Sequence, residues 1–138
     1  MINVFKWKND FVTGNEELDN QHKEIFKQVN ELYELFSDTK KYHKQISEKV
    51  ISLKTVLIKH CYTENELFEK YDIAGKEEHL KAHDEIIKTI NDFENYNFSP
   101  LIVALLLCDS IINYFLEHFP KYDKNFILEL NEKVSSKL

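Results

Sequence analysis

At 138 residues the chain is long enough to bury a core without staples, and one domain over residues 1–138 is expected. Two glycines and two prolines against abundant Leu, Ile, Glu and Lys favour long helices and few turns. All 18 basic residues are lysine, which serves bidentate phosphate or base recognition poorly, and the net charge of −6 argues further against a nucleic-acid partner.

Residues 1–7 show no apolar core of a signal peptide. The apolar run 101–108 is far too short to span a bilayer. Cys61 and Cys108 lie far apart and form no CxxC pair, so reduced buried thiols are expected. These features predict a soluble cytoplasmic protein with no membrane partner, and the acidic surface suits a monomer.

In chain order, residues 1–14 lack helical periodicity but carry Phe5, Trp7, Phe11 and Val12, which predicts an arm packed through its aromatics. Thr13 with Glu16, or Asn15 alone, is the expected cap of the next helix. Leu18, His22, Ile25, Val29, Leu32 and Phe36 then recur at three- and four-residue steps, predicting a helix over about 16–37. A second helix, about 41–71, has the seam Ile46, Val50, Leu53, Leu57, His60, Glu64, Leu67 and Tyr71. Gly75 breaks the chain. A third helix, about 76–95, turns His79, His83, Ile86, Ile90 and Phe93 inward. Ser99 and Pro100 read as cap and first residue of a fourth helix, whose stripe is Leu101, Ala104, Cys108, Ile111, Phe115 and His118. A short terminal helix is expected from residue 121 to 130 or beyond. Amphipathic helices joined by short connections predict an all-α, up-down-up-down four-helix bundle with an N-terminal arm.

Each of the four helices therefore places ligand-type residues on its apolar stripe: His22; His60 and Glu64; His79 and His83; His118. His79 and His83, four apart, sit one turn apart on one face. Burying such groups is costly unless something satisfies their polar atoms, and a metal ion is such a partner. His43, in the polar start of the second helix, is expected in solvent. Asp123 lies five residues after His118, about 140° round a regular helix and so off the inward face. Pro120 changes this expectation: its ring clashes with the carbonyl of Leu116, and a kink or stop just after His118 swings Asp123 back towards the core. Five imidazoles and two carboxylates exceed a tetrahedral zinc site and a single octahedral ion, while two ions bridged by the carboxylates fit. Ligand type alone leaves iron, zinc, copper and manganese open.

This arrangement resembles the hemerythrin family, in its single-domain bacterial form, over essentially the whole chain. The resemblance rests on Phe5, Trp7 and the segment Gly14, Asn15, Glu16, Glu17, Leu18, Asp19, Asn20, Gln21, His22, followed by His60-x-x-x-Glu64, His79-x-x-x-His83 and His118-x-x-x-x-Asp123 in order. It implies a non-haem di-iron centre. His79, His83 and His118 would hold one iron, His22 and His60 the other, and Glu64 and Asp123 would bridge both beside an oxo or hydroxo group. That set fills an octahedral shell on the first iron and leaves one position open on the second, where the family binds dioxygen reversibly. Ile25, Phe26, Leu57 and Phe115, by helical spacing, are expected either to wall that position against water and protons or to serve as ordinary bundle core. Asp19, three before His22, is expected as a partner of that ligand or as a surface carboxylate. Asn15, Cys61 and Tyr114 depart from the family's usual residues, none at a ligand position, and Cys61 is expected beside the site, about 100° round from His60.

The function so implied is that of an oxygen carrier, store or delivery protein and not an enzyme, with a cognate oxygen-consuming acceptor as its partner. A di-iron oxidase or peroxide-consuming enzyme is the first alternative. The ferritin-like type uses Glu-x-x-His motifs, and no histidine here has Glu three residues before it. A sensor of oxygen or nitric oxide, or an iron-handling role, is the second.

Overall fold

The computed structural model describes residues 4–136. Five α-helices carry it: α1 (Glu16–Leu35), α2 (His43–Lys70), α3 (Lys76–Asp92), α4 (Pro100–His118) and α5 (Lys124–Ser136). The first four form the up-down-up-down bundle. Consecutive helices pack on one another, α1 closes the ring against α4, and α2 also meets α4. Single 3-10 turns finish α1 and α3 (Phe36–Asp38 and Phe93–Asn95), so both helices end slightly earlier than their periodicity suggests.

The helix starts follow local chemistry. Asn15 caps α1, its side-chain oxygen accepting from the Leu18 N–H at 3.0 Å. Thr13 does not form a capping box with Glu16. Its hydroxyl accepts from the Asn15 N–H and donates to Asp19 Oδ1 at 2.6 Å. Asp19 also accepts from the N–H groups of Thr13 and Gly14. Asp19 is buried, so it is neither a surface carboxylate nor a partner of His22. It ties the end of the arm to α1, around a turn that needs Gly14 at φ +87°. Ser99 caps α4 as its sequence indicates, with Pro100 first in the helix. Replacing Asn15 by alanine is expected to destabilise the metal-free protein by about 1 kcal/mol, read as a lower denaturant midpoint at unchanged slope.

The arm is clamped as well as packed. The Phe5 N–H donates to Asn30 Oδ1 at 2.7 Å, and Asn30 Nδ2 donates back to the Phe5 carbonyl at 2.9 Å. Phe5 stacks on Phe26, Trp7 meets the edge of Phe26, and Phe11 wedges against Phe115 and Phe119. Residues 1–3 of the expected arm lie outside the described residues.

Two apolar clusters result. The larger runs through the bundle and includes Ile25, Phe26, Leu53, Leu57, Ile86, Ile111 and Phe115. The smaller gathers Leu18, Phe68, Ile73, Phe126, Ile127 and Leu130. Along α2 the inner residue of the last turn is Phe68, while Leu67 and Tyr71, expected on the seam, are only half-buried. Between the clusters, along each of the four bundle helices, come polar residues: His22 between Leu18 and Ile25, His60 and Glu64 between Leu57 and Phe68, His79 and His83 between Ile73 and Ile86, and His118, with Asp123 after it, between Phe115 and Phe126.

α4 does not stop at Pro120. A π-helical turn, Phe119–Asp123, links it to α5, and the Lys124 N–H bonds the Phe119 carbonyl five residues back. Pro120 has no N–H to offer Leu116, which removes one α-type bond from the ladder there. The wider turn returns the residue five after His118 towards the inner face, so Asp123 is buried. The run 100–135 is thereby long and apolar enough, by length and composition, to cross a membrane, well beyond the eight-residue stretch visible in sequence. Its inward residues, from Cys108 and Phe115 to His118 and Asp123, are those of a bundle core helix.

Candidate metal centre

Seven polar residues meet in the layer between the two apolar clusters: His22, His60, Glu64, His79, His83, His118 and Asp123, each buried. Only His43 among the histidines is excluded; it opens α2 in solvent. All five imidazoles present Nε2 to the two carboxylates. His79 and His118 approach Asp123 Oδ1 at 2.9 and 2.8 Å, and His22 approaches Oδ2 at 3.3 Å. Glu64 Oε1 has His83 at 3.1 Å, His79 at 3.4 Å and His60 at 3.6 Å.

The donor atoms fall into two overlapping groups. One holds His79, His83, His118, Glu64 and Asp123; the other holds His22, His60 and the same two carboxylates. Both Glu64 oxygens, Asp123 Oδ1 and His83 Nε2 are buried, and none of the imidazole–carboxylate contacts they make has hydrogen-bond geometry. Orphaned donors and acceptors of this kind are costly in an apolar interior, and a cation at their focus satisfies them together. The spacing of the nitrogens is informative. With a metal–nitrogen bond of about 2.1 Å, adjacent ligands lie about 3.0 Å apart in an octahedral shell and about 3.4 Å apart in a tetrahedral one. His22 and His60 stand 2.9 Å apart at Nε2, and His79 and His118 stand 3.0 Å apart. These spacings fit neighbouring ligands of an octahedral shell and equally an N–H···N hydrogen bond; it is the chemistry of the donor set that suits a metal ion.

The electrostatics agree. Burial and the Asp123 charge would push Glu64 up, but His60, His79 and His83 outweigh both and lower it to about 2. Burial likewise opposes ionisation of Asp123, yet contacts with His118, His22 and His79 hold it well below its ordinary range. Burial would lower His79, but the two carboxylates raise it to about 9, whereas burial dominates at His60 and lowers it to about 4. In the metal-free protein the Glu64 pairing stabilises the fold above pH 4.5 and is lost as pH falls towards about 2. The His79 pairing is complete below pH 6.5 and lost as pH rises through about 9. A metal must displace the His79 proton. Its apparent affinity is therefore expected to rise by about tenfold per pH unit between pH 7 and about 9, from this group alone. Zinc titration of the metal-free protein against a competing chelator checks this.

The surroundings include residues that spacing did not single out. Phe119 lies edge-on to His22, as Phe115 does. Tyr114 stacks on His118, and Tyr122 lies against both His118 and His79. Gln21 accepts from His60 Nδ1, and Asn65 from His83 Nδ1, each at 2.7 Å. Gln21 and Asn65 neighbour His22 and Glu64 in sequence, yet each serves an imidazole on a facing helix. Ile25, Phe26, Leu57 and Phe115 are all buried where expected. Cys61 and Cys108 are free buried thiols. Cys61 belongs to neither donor group and lies in the electrostatic reach of Tyr114; burial raises its thiol well above the ordinary value.

The hemerythrin HHE cation binding domain model matches residues 13–127, a span that includes all seven residues. The chain is 27% identical over 131 residues to a bacteriohemerythrin of Clostridium acetobutylicum, covering 90% of this chain and 99% of that protein. It is 29% identical over 87 residues to a bacteriohemerythrin of Pseudomonas aeruginosa, covering 63% of this chain and 56% of that one. A hemerythrin-like protein of Naegleria gruberi is 27% identical over 96 residues, 65% of this chain and 74% of that one. No solved structure matches the chain. A layer of histidines and carboxylates able to hold a cation inside a four-helix bundle, with a family match over most of its length, makes this chain a member of the hemerythrin family.

Proposed function

We propose that the chain binds dioxygen reversibly at a non-haem di-iron centre, as a carrier, store or delivery protein. The observation that carries this reading is the pair of unequal donor groups joined through Glu64 and Asp123. His79, His83 and His118 would hold one iron and His22 and His60 the other, with Glu64 and Asp123 shared. Two irons so held would supply the pair of electrons that reversible dioxygen binding requires.

The chain's own residues do the rest. The group with only two imidazoles is the one left with room for a further ligand. On that side Phe115 and Phe119 lie edge-on to His22. Phe26 and Phe11 back Phe115, and Leu57 lies one turn before His60 on α2. These side chains carry no exchangeable proton and exclude water, so they would keep protons away from a ligand held on that side of the site. The relatives named bacteriohemerythrin support the same reading.

The test is optical. The protein is loaded anaerobically with ferrous iron, exposed to air, then deoxygenated, while the visible spectrum is recorded. A charge-transfer band that appears and vanishes over repeated cycles, at about two irons per chain, is expected. One irreversible change on first exposure would overturn reversible binding, and sustained consumption of added peroxide would replace it with an enzyme.

A further inference from the structure

Between α1 and α2 runs a short chain of hydrogen bonds with a fixed direction. Thr63 Oγ1 donates to the Lys59 carbonyl at 2.9 Å, one turn back on α2. Its only proton is used there, so towards Gln21 the hydroxyl acts as acceptor. It receives Gln21 Nε2 at 3.2 Å. The amide nitrogen of Gln21 thus faces Thr63, and its oxygen faces His60 Nδ1 at 2.7 Å. An amide oxygen only accepts, so Nδ1 of His60 carries the proton and Nε2 presents a bare lone pair towards Glu64 and His22. Thr63 and His60 share α2, three residues apart on neighbouring faces; Gln21 comes from α1. Every member is neutral.

We infer that Thr63 and Gln21 are positioning residues: the relay from the Lys59 carbonyl through Thr63 and Gln21 commits His60 to its Nδ1–H tautomer and presents Nε2 to the metal on the two-imidazole side of the site. The inference rests on the proposed metal centre but not on its oxygen chemistry. The positioning role does not require iron. The relay also sets the electronic character of the ligand. A neutral amide leaves the imidazole less electron-rich than a carboxylate acceptor would, and so favours the reduced state of a redox-active metal held there. On the other side of the site, Asn65 serves His83 by the same chemistry.

The test uses Thr63→Val, which keeps the shape and removes the acceptor. The proton spectrum of the zinc-loaded wild type is expected to show a protected Nδ1–H resonance from His60. In Thr63→Val that resonance is lost or weakened, the His83 resonance stays, and zinc affinity at the weaker position falls about 10- to 100-fold. Thr63→Ser restores both. Gln21→Glu keeps the resonance but lowers the midpoint potential of the iron-loaded protein. The helical circular dichroism of each metal-free variant is expected to match the wild type, since Gln21 and Thr63 are both half-buried.

Unchanged zinc affinity and an unchanged His60 resonance in Thr63→Val would overturn the relay. So would a Ser variant as impaired as the Val one, because packing and not polarity would then be the cause. An unchanged potential in Gln21→Glu would overturn the electronic role. If the resonances and affinities behave as stated while the iron-loaded wild type fails to cycle with oxygen, the relay stands and the oxygen-binding reading falls.

Discussion

Glu64→Ala is expected to lower bound iron from about two per chain to well below one, the largest loading defect among single replacements in the site. Glu64 is fully buried and belongs to both donor groups, so its removal strips a ligand from each. His22→Ala touches only the two-imidazole group and is expected to retain about one iron, on the side that keeps three imidazoles. Iron is counted after anaerobic loading and desalting. The metal-free Glu64→Ala protein should lose the stability that its imidazole pairing supplies but remain helical, because the apolar clusters on either side of the layer are untouched. Loss of iron with retained helicity therefore separates a loading defect from a folding one. Iron content unchanged from wild type would remove Glu64 from the ligand set. Equal losses in Glu64→Ala and His22→Ala would refute the sharing of Glu64 between two ions.

How much of this site the sequence discloses depends on which helix supplies the partner. His22, His60, Glu64, His79, His83 and His118 stand on apolar stripes at positions where leucine would be ordinary, so periodicity alone assigns them inward. Asp123 breaks that periodicity. It is placed only by noticing that Pro120 disturbs the helix, and even then the route differs: the helix widens by a π turn and continues where a kink or stop was expected. Its effect on Asp123 is the same, because adding a residue to one turn and redirecting the chain both restore an inward direction. Phe68 displaces Leu67 from the inner face because the last turn of α2 packs on Phe126 of α5, a helix whose contacts its own pattern does not announce. Asp19 is hidden for another reason. Spacing relates it to His22, but the arm folds back and supplies the Thr13 and Gly14 donors at closer range. Gln21, Thr63 and Asn65 are polar residues on polar faces, and only the pairing of helices reveals that their amides and hydroxyl meet imidazoles or one another. Residues defined by one helix are legible; residues defined by two are not.

Phe115→Ala is expected to be the most destabilising replacement in the wall and to make the iron-loaded protein oxidise irreversibly. Phe115 is buried and touches Phe5, Phe11, Phe26 and Phe119 as well as His22, so it joins the arm, α1 and α4 around one ring. Truncation leaves a cavity that five other rings cannot close without moving, at a cost of about 3–5 kcal/mol. The same cavity lies against a proposed ligand on the side with room for oxygen. Water that enters it brings protons to a place now lined by carbon. Phe115→Leu separates the two effects. It keeps most of the volume, is expected to cost no more than about 1.5 kcal/mol, and leaves the wall apolar. Denaturation of the metal-free proteins measures the first effect. The number of oxygen cycles before the charge-transfer band fails to return measures the second. The expected order is wild type, then Leu close behind, then Ala far below in both. If the Ala variant cycles as many times as wild type despite its lower stability, Phe115 is bundle core alone and the wall against water is built from other residues.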